Sequence, residues 1–139
     1  MSKINSILDI GSGSGIPGML LKLVYPRIDL GIIEATGKKV EFMKELVKKL
    51  DIDRVEIFNQ RAEEIQPSQR ESFDLVTSRA VGELKIILEI STPYAKVNGL
   101  IVEQKSSKYL EEENKAKDMI KSLDLAKEKD IEFTSVNGV

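Results

Sequence analysis

An α/β domain with a mostly parallel open sheet and helices on both faces is the fold class this sequence predicts. Three observations carry that expectation. Short β-rich apolar runs alternate with longer segments of helical periodicity. The connections between them are short, as strand–helix–strand units require. Four glycines, Gly11, Gly13, Gly15 and Gly18, stand between the first strand and the first helix. A chain of 139 residues fits one domain and is too short for two ordinary ones, so residues 1–139 are read as a single unit.

Each element has a local reason. Ser6–Ile10 is a β-rich apolar run that stops at Gly11. Pro17 stands at the first position of the next helix, where its missing N–H costs nothing. That helix runs through Met19–Val24 and ends before Pro26. Leu30–Glu34 is the second strand. Val40, Met43, Leu46, Val47 and Leu50 then recur at helical spacing, with Lys44, Lys48 and Lys49 largely on the other face. Val55–Phe58 and Phe73–Ser78 are the third and fourth strands. Leu84–Ile90 is an amphipathic helix stopped by Pro93, and Leu100–Gln104 is a fifth strand after Asn98-Gly99. Tyr109–Leu123 is a charged helix with Ala116, Met119, Ile120 and Leu123 inward. Glu111 to Glu113 lie in its first turns, where the helix dipole favours negative charge. Ile131–Phe133 reads as a last strand.

Composition removes whole classes of chemistry. There is no cysteine and no histidine, which excludes disulfides, thiolate catalysis, histidine triads and histidine or thiolate metal sites. Lys+Arg is 21 against Asp+Glu 23, a formal net charge of −2, so any nucleic-acid surface must be a local basic patch. No apolar run approaches the roughly 18 residues of a membrane span, and the start is no signal peptide. The expectation is a cytoplasmic protein with neither a metal nor a membrane partner.

In open parallel sheets ligands gather beyond the carboxyl ends of the strands, so the segments after each strand are the ones to inspect. Gly13-Ser14-Gly15-Ile16-Pro17-Gly18 fits the glycine pattern of dinucleotide sites, a weak signal alone. Asp9, two residues before Gly11, is more informative. A carboxylate at that strand end disfavours a pyrophosphate and tolerates the ammonium and sulfonium of S-adenosylmethionine. The alternative is a glycine-rich turn with no ligand. Glu34 ends the second strand and suits the two ribose hydroxyls of an adenosine, or is a solvated strand-end acid. Ala62 and Glu63 could border an adenine, or begin a surface helix. Asp74 is either a buried acid or, the preferred reading, a turn residue at a strand start. Arg79 ends the fourth strand and points into the cleft or forms a surface ion pair. Lys105 reads as solvated.

Several of these strings resemble one family. Leu8-Asp9-Ile10-Gly11-Ser12-Gly13-Ser14-Gly15-Ile16-Pro17-Gly18 is similar to the first motif of class I S-adenosylmethionine-dependent methyltransferases. Ile16-Pro17-Gly18 resembles the branch called ribosomal small-subunit methyltransferase G, or glucose-inhibited division protein B. Glu34 through Phe42, Arg61-Ala62-Glu63-Glu64 and Phe73 through Val81 are similar to further strings of that branch, in register. The resemblance runs from about residue 6 to 105 and less clearly to 133.

The resemblance implies a Rossmann-like fold, here with the last hairpin strand missing. It implies methyl transfer from S-adenosylmethionine to N7 of a guanine in 16S ribosomal RNA. It also implies cofactor contacts at Gly11, Ile16, Glu34, Ala35, Thr36, Ala62, Glu63 and Arg79. Lys105 matches a lysine that faces the RNA, although Ser106 stands where the family tends to have glycine. Guanine N7 carries a lone pair and needs no deprotonation, so no general base is named and catalysis is positioning. The partner is 16S ribosomal RNA or the small ribosomal subunit, approached by Lys38, Lys39, Arg79, Lys85 and Lys105. Against the family pattern the chain looks like a core cut at both ends, which predicts a monomer or weak self-association. Two other readings stay open. One is a nicotinamide-dinucleotide-binding oxidoreductase domain, opposed by Asp9 and the Ser78–Val81 string. The other is a non-catalytic methyltransferase-like core.

Overall fold

The computed structural model describes residues 3–11, 18–79, 83–104 and 109–127, with the side chains of Arg79 and Gln104 outside that set. Ile16, Pro17, Lys105, Ser106 and the expected strand Ile131–Phe133 lie outside the described residues. The chain order is β1 (Ser6–Ile10), α1 (Gly18–Val24), β2 (Asp29–Glu34), α2 (Gly37–Lys49), β3 (Val55–Asn59), β4 (Phe73–Arg79), α3 (Leu84–Ser91), β5 (Ala95–Gln104) and α4 (Tyr109–Ser122). Short 3-10 turns at Pro67–Gln69 and Thr92–Tyr94 precede β4 and β5.

The five strands pair in the order β3-β2-β1-β4-β5. Every pairing is parallel, as the strand–helix alternation predicts. Side chains alternate across the pleat, so each central strand contributes to two cores. Ile7, Leu30 and Ile32 meet Met19 of α1 and Met43 of α2 on one face. Leu8, Ile10, Ile33 and Val76 meet Tyr94 on the other. Leu8, Ile32, Val76 and Tyr94 have no exposed surface, and full burial of such a side chain stabilises by about 1.5–3 kcal/mol. Gly31 of β2 belongs to this second face. A Cβ there would stand 3.0 Å from both Leu8 Cδ1 and the Phe73 ring, so its absence lets Phe73 lie against the sheet.

Three expectations need correction. First, β5 begins at Ala95 rather than Leu100 and runs through Asn98-Gly99. That pair makes a bulge, not a boundary: Phe73 pairs with Ala95 while Leu75 pairs with Leu100. Asn98 takes φ 67°, and a Cβ on Gly99 would fall 2.8 Å from the Lys96 carbonyl oxygen. Second, Leu50 is not a core residue of α2. It follows the last helical turn and is half exposed, while Val40 and Met43 are buried. Third, only Ala116 of α4 is fully buried; Met119, Ile120 and Leu123 are half-buried.

Asp74 is a half-buried fastener at the amino edge of the sheet. Its Oδ2 accepts from the Asn5 N–H at 2.8 Å, the Ser6 N–H at 3.0 Å and the Ser6 hydroxyl at 3.2 Å. Lys96 Nζ donates to its Oδ1 at 3.3 Å. Burial pushes this carboxyl's pKa up, but the Asn5, Lys96 and Ser6 donors outweigh it and leave the pKa below its ordinary value.

Candidate functional site

The register brings the carboxyl ends of the strands together. Ile10 lies beside Ile33 of β2 and Ser78 of β4, and Glu34 lies beside Asn59 of β3. The chain leaves β1 toward β2 and β3, then crosses to β4 on the other side. That change of direction at β1 marks where such sheets bind ligands.

Gly11 follows β1 with φ 66°, a left-handed conformation that favours glycine. Its N–H donates to the Ile33 carbonyl at 2.8 Å, so the glycine segment starts from a fixed point. Asp9 is wholly buried. Its Oδ2 accepts from the Gly18 N–H at 2.8 Å, at the first position of α1. Its Oδ1 is buried with no hydrogen-bond partner among the described residues. Burial drives this carboxyl's pKa up to about 6, with the Gly18 N–H pulling the other way. The acid that the sequence singles out thus holds the backbone of Gly18, at the start of α1.

Glu34 is buried at the end of β2, 6% exposed. Among the described residues its Oε1 accepts a single long bond, 3.3 Å, from the Thr36 N–H. A carboxylate has about four acceptor sites, so capacity remains for hydroxyl donors such as those of a ribose. Ala35 and Thr36 are exposed beside it and lead into α2. With the Asn59 side chain assigned so that its nitrogen faces them, it donates to the Glu34 and Ala35 carbonyls, each at 3.2 Å. Asn59 was not among the sequence candidates, although strand register alone would have set it beside Glu34.

Ala62 is half-buried and Glu63 exposed, in a turn after β3 rather than at the start of a helix. The buried Tyr94 hydroxyl donates to the Ala62 carbonyl. Gln60 and Gln69 exchange paired amide bonds of 3.0 and 3.1 Å across the same turn. No local sequence signal identifies Tyr94, because it acts 32 residues away from its partner. The structure therefore gathers Gly11, Glu34, Ala35, Thr36, Ala62 and Glu63 after β1, β2 and β3. Arg79 ends β4 at the same edge. Lys38 and Lys39 in the first turn of α2, and Lys85 in the first turn of α3, are exposed and follow β2 and β4.

A groove of about 520 Å³ lies elsewhere, at the amino half of β2 and β3, lined by Leu30, Gly31, Arg54, Phe58 and Phe73. It holds none of the strand-end carboxylates. No helix among the described residues is long and apolar enough to cross a membrane.

Comparison with known proteins places this geometry in a family. The family model for rRNA small subunit methyltransferase G (GidB) matches residues 1–137. A ribosomal RNA small subunit methyltransferase G of Ureaplasma parvum serovar 3 is 51% identical over 117 residues, which cover 84% of this chain and 55% of that protein. The protein of the same name from Malacoplasma penetrans is 46% identical over 96% of this chain and 56% of its own length. The chain thus spans about half the length of these relatives. Among solved structures, a precorrin-6y C5,15-methyltransferase of Geobacter metallireducens has a TM-score of 0.67 at 20% identity, over 88% of this chain and 63% of that one. Coclaurine N-methyltransferase has a TM-score of 0.64 at 16% identity, over 74% and 31%. The fold is the Rossmann-like α/β fold of class I methyltransferases.

Proposed function

The chain belongs to the rRNA small subunit methyltransferase G family, and from that premise we propose that it forms a single catalytic core, residues 1–139, for methylation of N7 of a guanine in 16S ribosomal RNA. The observation that carries this reading is the row of Asp9, Gly11, Glu34 and Ala62 at adjoining strand ends, inside the stretch matched by the family model.

These residues fit S-adenosylmethionine. Asp9 keeps a buried oxygen without a partner among the described residues, which favours a cationic ligand over an anionic one. Glu34 has acceptor capacity for a ribose diol. Ala62, small and half-buried, leaves space for a base, and Tyr94 fixes its backbone. The residues that would hold the cofactor are Gly11, Ile16, Glu34, Ala35, Thr36, Ala62, Glu63 and Arg79. When bound, the cofactor supplies an electrophilic methyl group. The chain's part is to orient the two reactants and keep water out, with no residue taking a proton, since guanine N7 attacks through a free lone pair. Lys38, Lys39, Arg79, Lys85 and Lys105 would meet phosphates of the RNA or of the small ribosomal subunit. Such contacts make binding fall steeply with salt. The setting is the cytoplasm, without a metal, as a monomer or weakly self-associating species.

The test is methyl incorporation into unmodified small-subunit particles, with a relative of full family length as control. Incorporation at guanine N7 supports the reading. Cofactor binding without incorporation would favour a non-catalytic core, a reading motivated by the chain's spanning half of its relatives' length. Preference for NADH over S-adenosylmethionine would overturn the cofactor assignment.

A further inference from the structure

Asp9 presents an anomaly. It is fully buried, one oxygen has no partner among the described residues, and burial holds its proton to near neutrality. A carboxylate used only to cap α1 would be better placed at the surface, where capping residues keep their second oxygen in water. The packing fixes it here. A Cβ on Gly18 would fall 2.7 Å from Asp9 Oδ2 and 2.9 Å from Asp9 Cβ, so only glycine brings the α1 N–H down onto this acid.

We propose that Asp9 is a positioning residue whose ionised carboxylate holds Gly18 and the end of the glycine segment, and that cofactor capture expels a proton from it. The inference rests on the site's taking an adenosyl cofactor. The ionised form is the better acceptor, since a charge-assisted bond is about twice as strong as a neutral one. A ligand carrying an ammonium near this end of the sheet favours the anion further. The proton leaves the carboxyl oxygen for solvent, and no other bond changes.

The surroundings leave Asp9 as the group that responds. By strand register Glu34 of β2 falls on the same face, two residues past the Asp9 partner Ile32, and α1 carries the buried Lys22. The Lys22 ammonium is spent on the Pro26 and Ile28 carbonyls. β4 presents Thr77 in register with Asp9, and Arg79 two residues on. Met43 of α2, packed with Ile7 and Ile32, and Val102 of β5, paired with Thr77, are apolar. Burial raises the Asp9 pKa, and the Gly18 N–H, which favours the anion, only partly offsets it.

The experiment is titration of the 139-residue chain with S-adenosylhomocysteine between pH 5 and 8. It is paired with calorimetry at pH 6 in phosphate and in imidazole, whose different ionisation enthalpies count protons. For wild type, affinity should be roughly tenfold weaker at pH 5 than at pH 8, with about half a proton released per ligand at pH 6. Asp9→Asn should bind with affinity flat within about twofold over that range and release no proton. Wild-type binding that is independent of pH, or an Asp9→Asn slope equal to wild type, overturns the inference and leaves the cofactor reading standing. Absence of binding at every pH overturns both. If Asp9→Asn fails to fold, the wild-type proton count decides alone, and a count of zero refutes the proposal.

Discussion

Two aspartates on neighbouring strands have opposite surroundings. Asp74, at the amino edge of β4, has donors from Asn5, Ser6 and Lys96 around both carboxyl oxygens, and its pKa is lowered. Asp9, at the carboxyl end of β1, has among the described residues one backbone donor and an oxygen without a partner, and its pKa is raised to about 6. In sequence each is a lone acid in an apolar run, set apart only by the glycines that follow Asp9 and by the place of Asp74 at a strand start. What separates them is donor count in the folded state. The amino edge of the sheet satisfies its charge and gains stability. The carboxyl edge leaves charge unsatisfied, which costs stability and leaves capacity for a ligand.

The largest test of that contrast is the pH dependence of stability. A carboxyl whose pKa is higher in the folded state contributes stability below the unfolded value near 4, and loses it as pH rises through about 6. Relative to wild type, Asp9→Asn should therefore gain up to about 3 kcal/mol between pH 4 and pH 7, seen in urea melts across that range. A gap that stays constant with pH would break the comparison.

Glu34→Ala comes next. It should weaken S-adenosylhomocysteine binding by about 1.5–3 kcal/mol, the scale of hydrogen bonds to a charged group, and leave the urea midpoint nearly unmoved. Asp74→Ala is the mirror image, with about 2 kcal/mol of stability lost at pH 7 and cofactor affinity unchanged. The Asp74 contribution has the opposite sign with pH, present above the unfolded value near 4 and lost as pH falls through its lowered folded value. If Asp74→Ala instead lowered affinity as much as Glu34→Ala does, the two edges would not be independent. The smallest effect is expected from Tyr94→Phe, about 1 kcal/mol of stability, through the Ala62 carbonyl that loses its donor.

Much of this is legible in the sequence itself. Strand β1 and Glu34 at the end of β2 were readable because an apolar run ending at glycine or at a charge has one period and one stop. The start of β5 was not, since Asn98-Gly99 carries the same local signal whether it ends a strand or bulges within one. Lys22 shows the limit of hydrophobic patterning. It is buried while Leu20, Leu23 and Val24 of the same helix are exposed, because the Pro26 and Ile28 carbonyls satisfy its ammonium. At the site, Gly11 and Glu34 follow from strand ends. Tyr94 and Asn59 do not follow from any local pattern, because each works through a backbone carbonyl supplied by a distant segment.

The strand order also governs the timing of folding. β1 lies in the middle of the sheet, between β2 and β4. It is synthesised before β4, and its Ile10 finds a partner on that side only when Ser78 of β4 has been made. At about 5–20 residues per second, that wait lasts roughly 3–14 s, during which β1 offers an open apolar edge to any passing strand. A nascent chain halted before β4 would therefore hold β1 half-paired, and release of that arrest point, rather than formation of any helix, would set when the sheet closes.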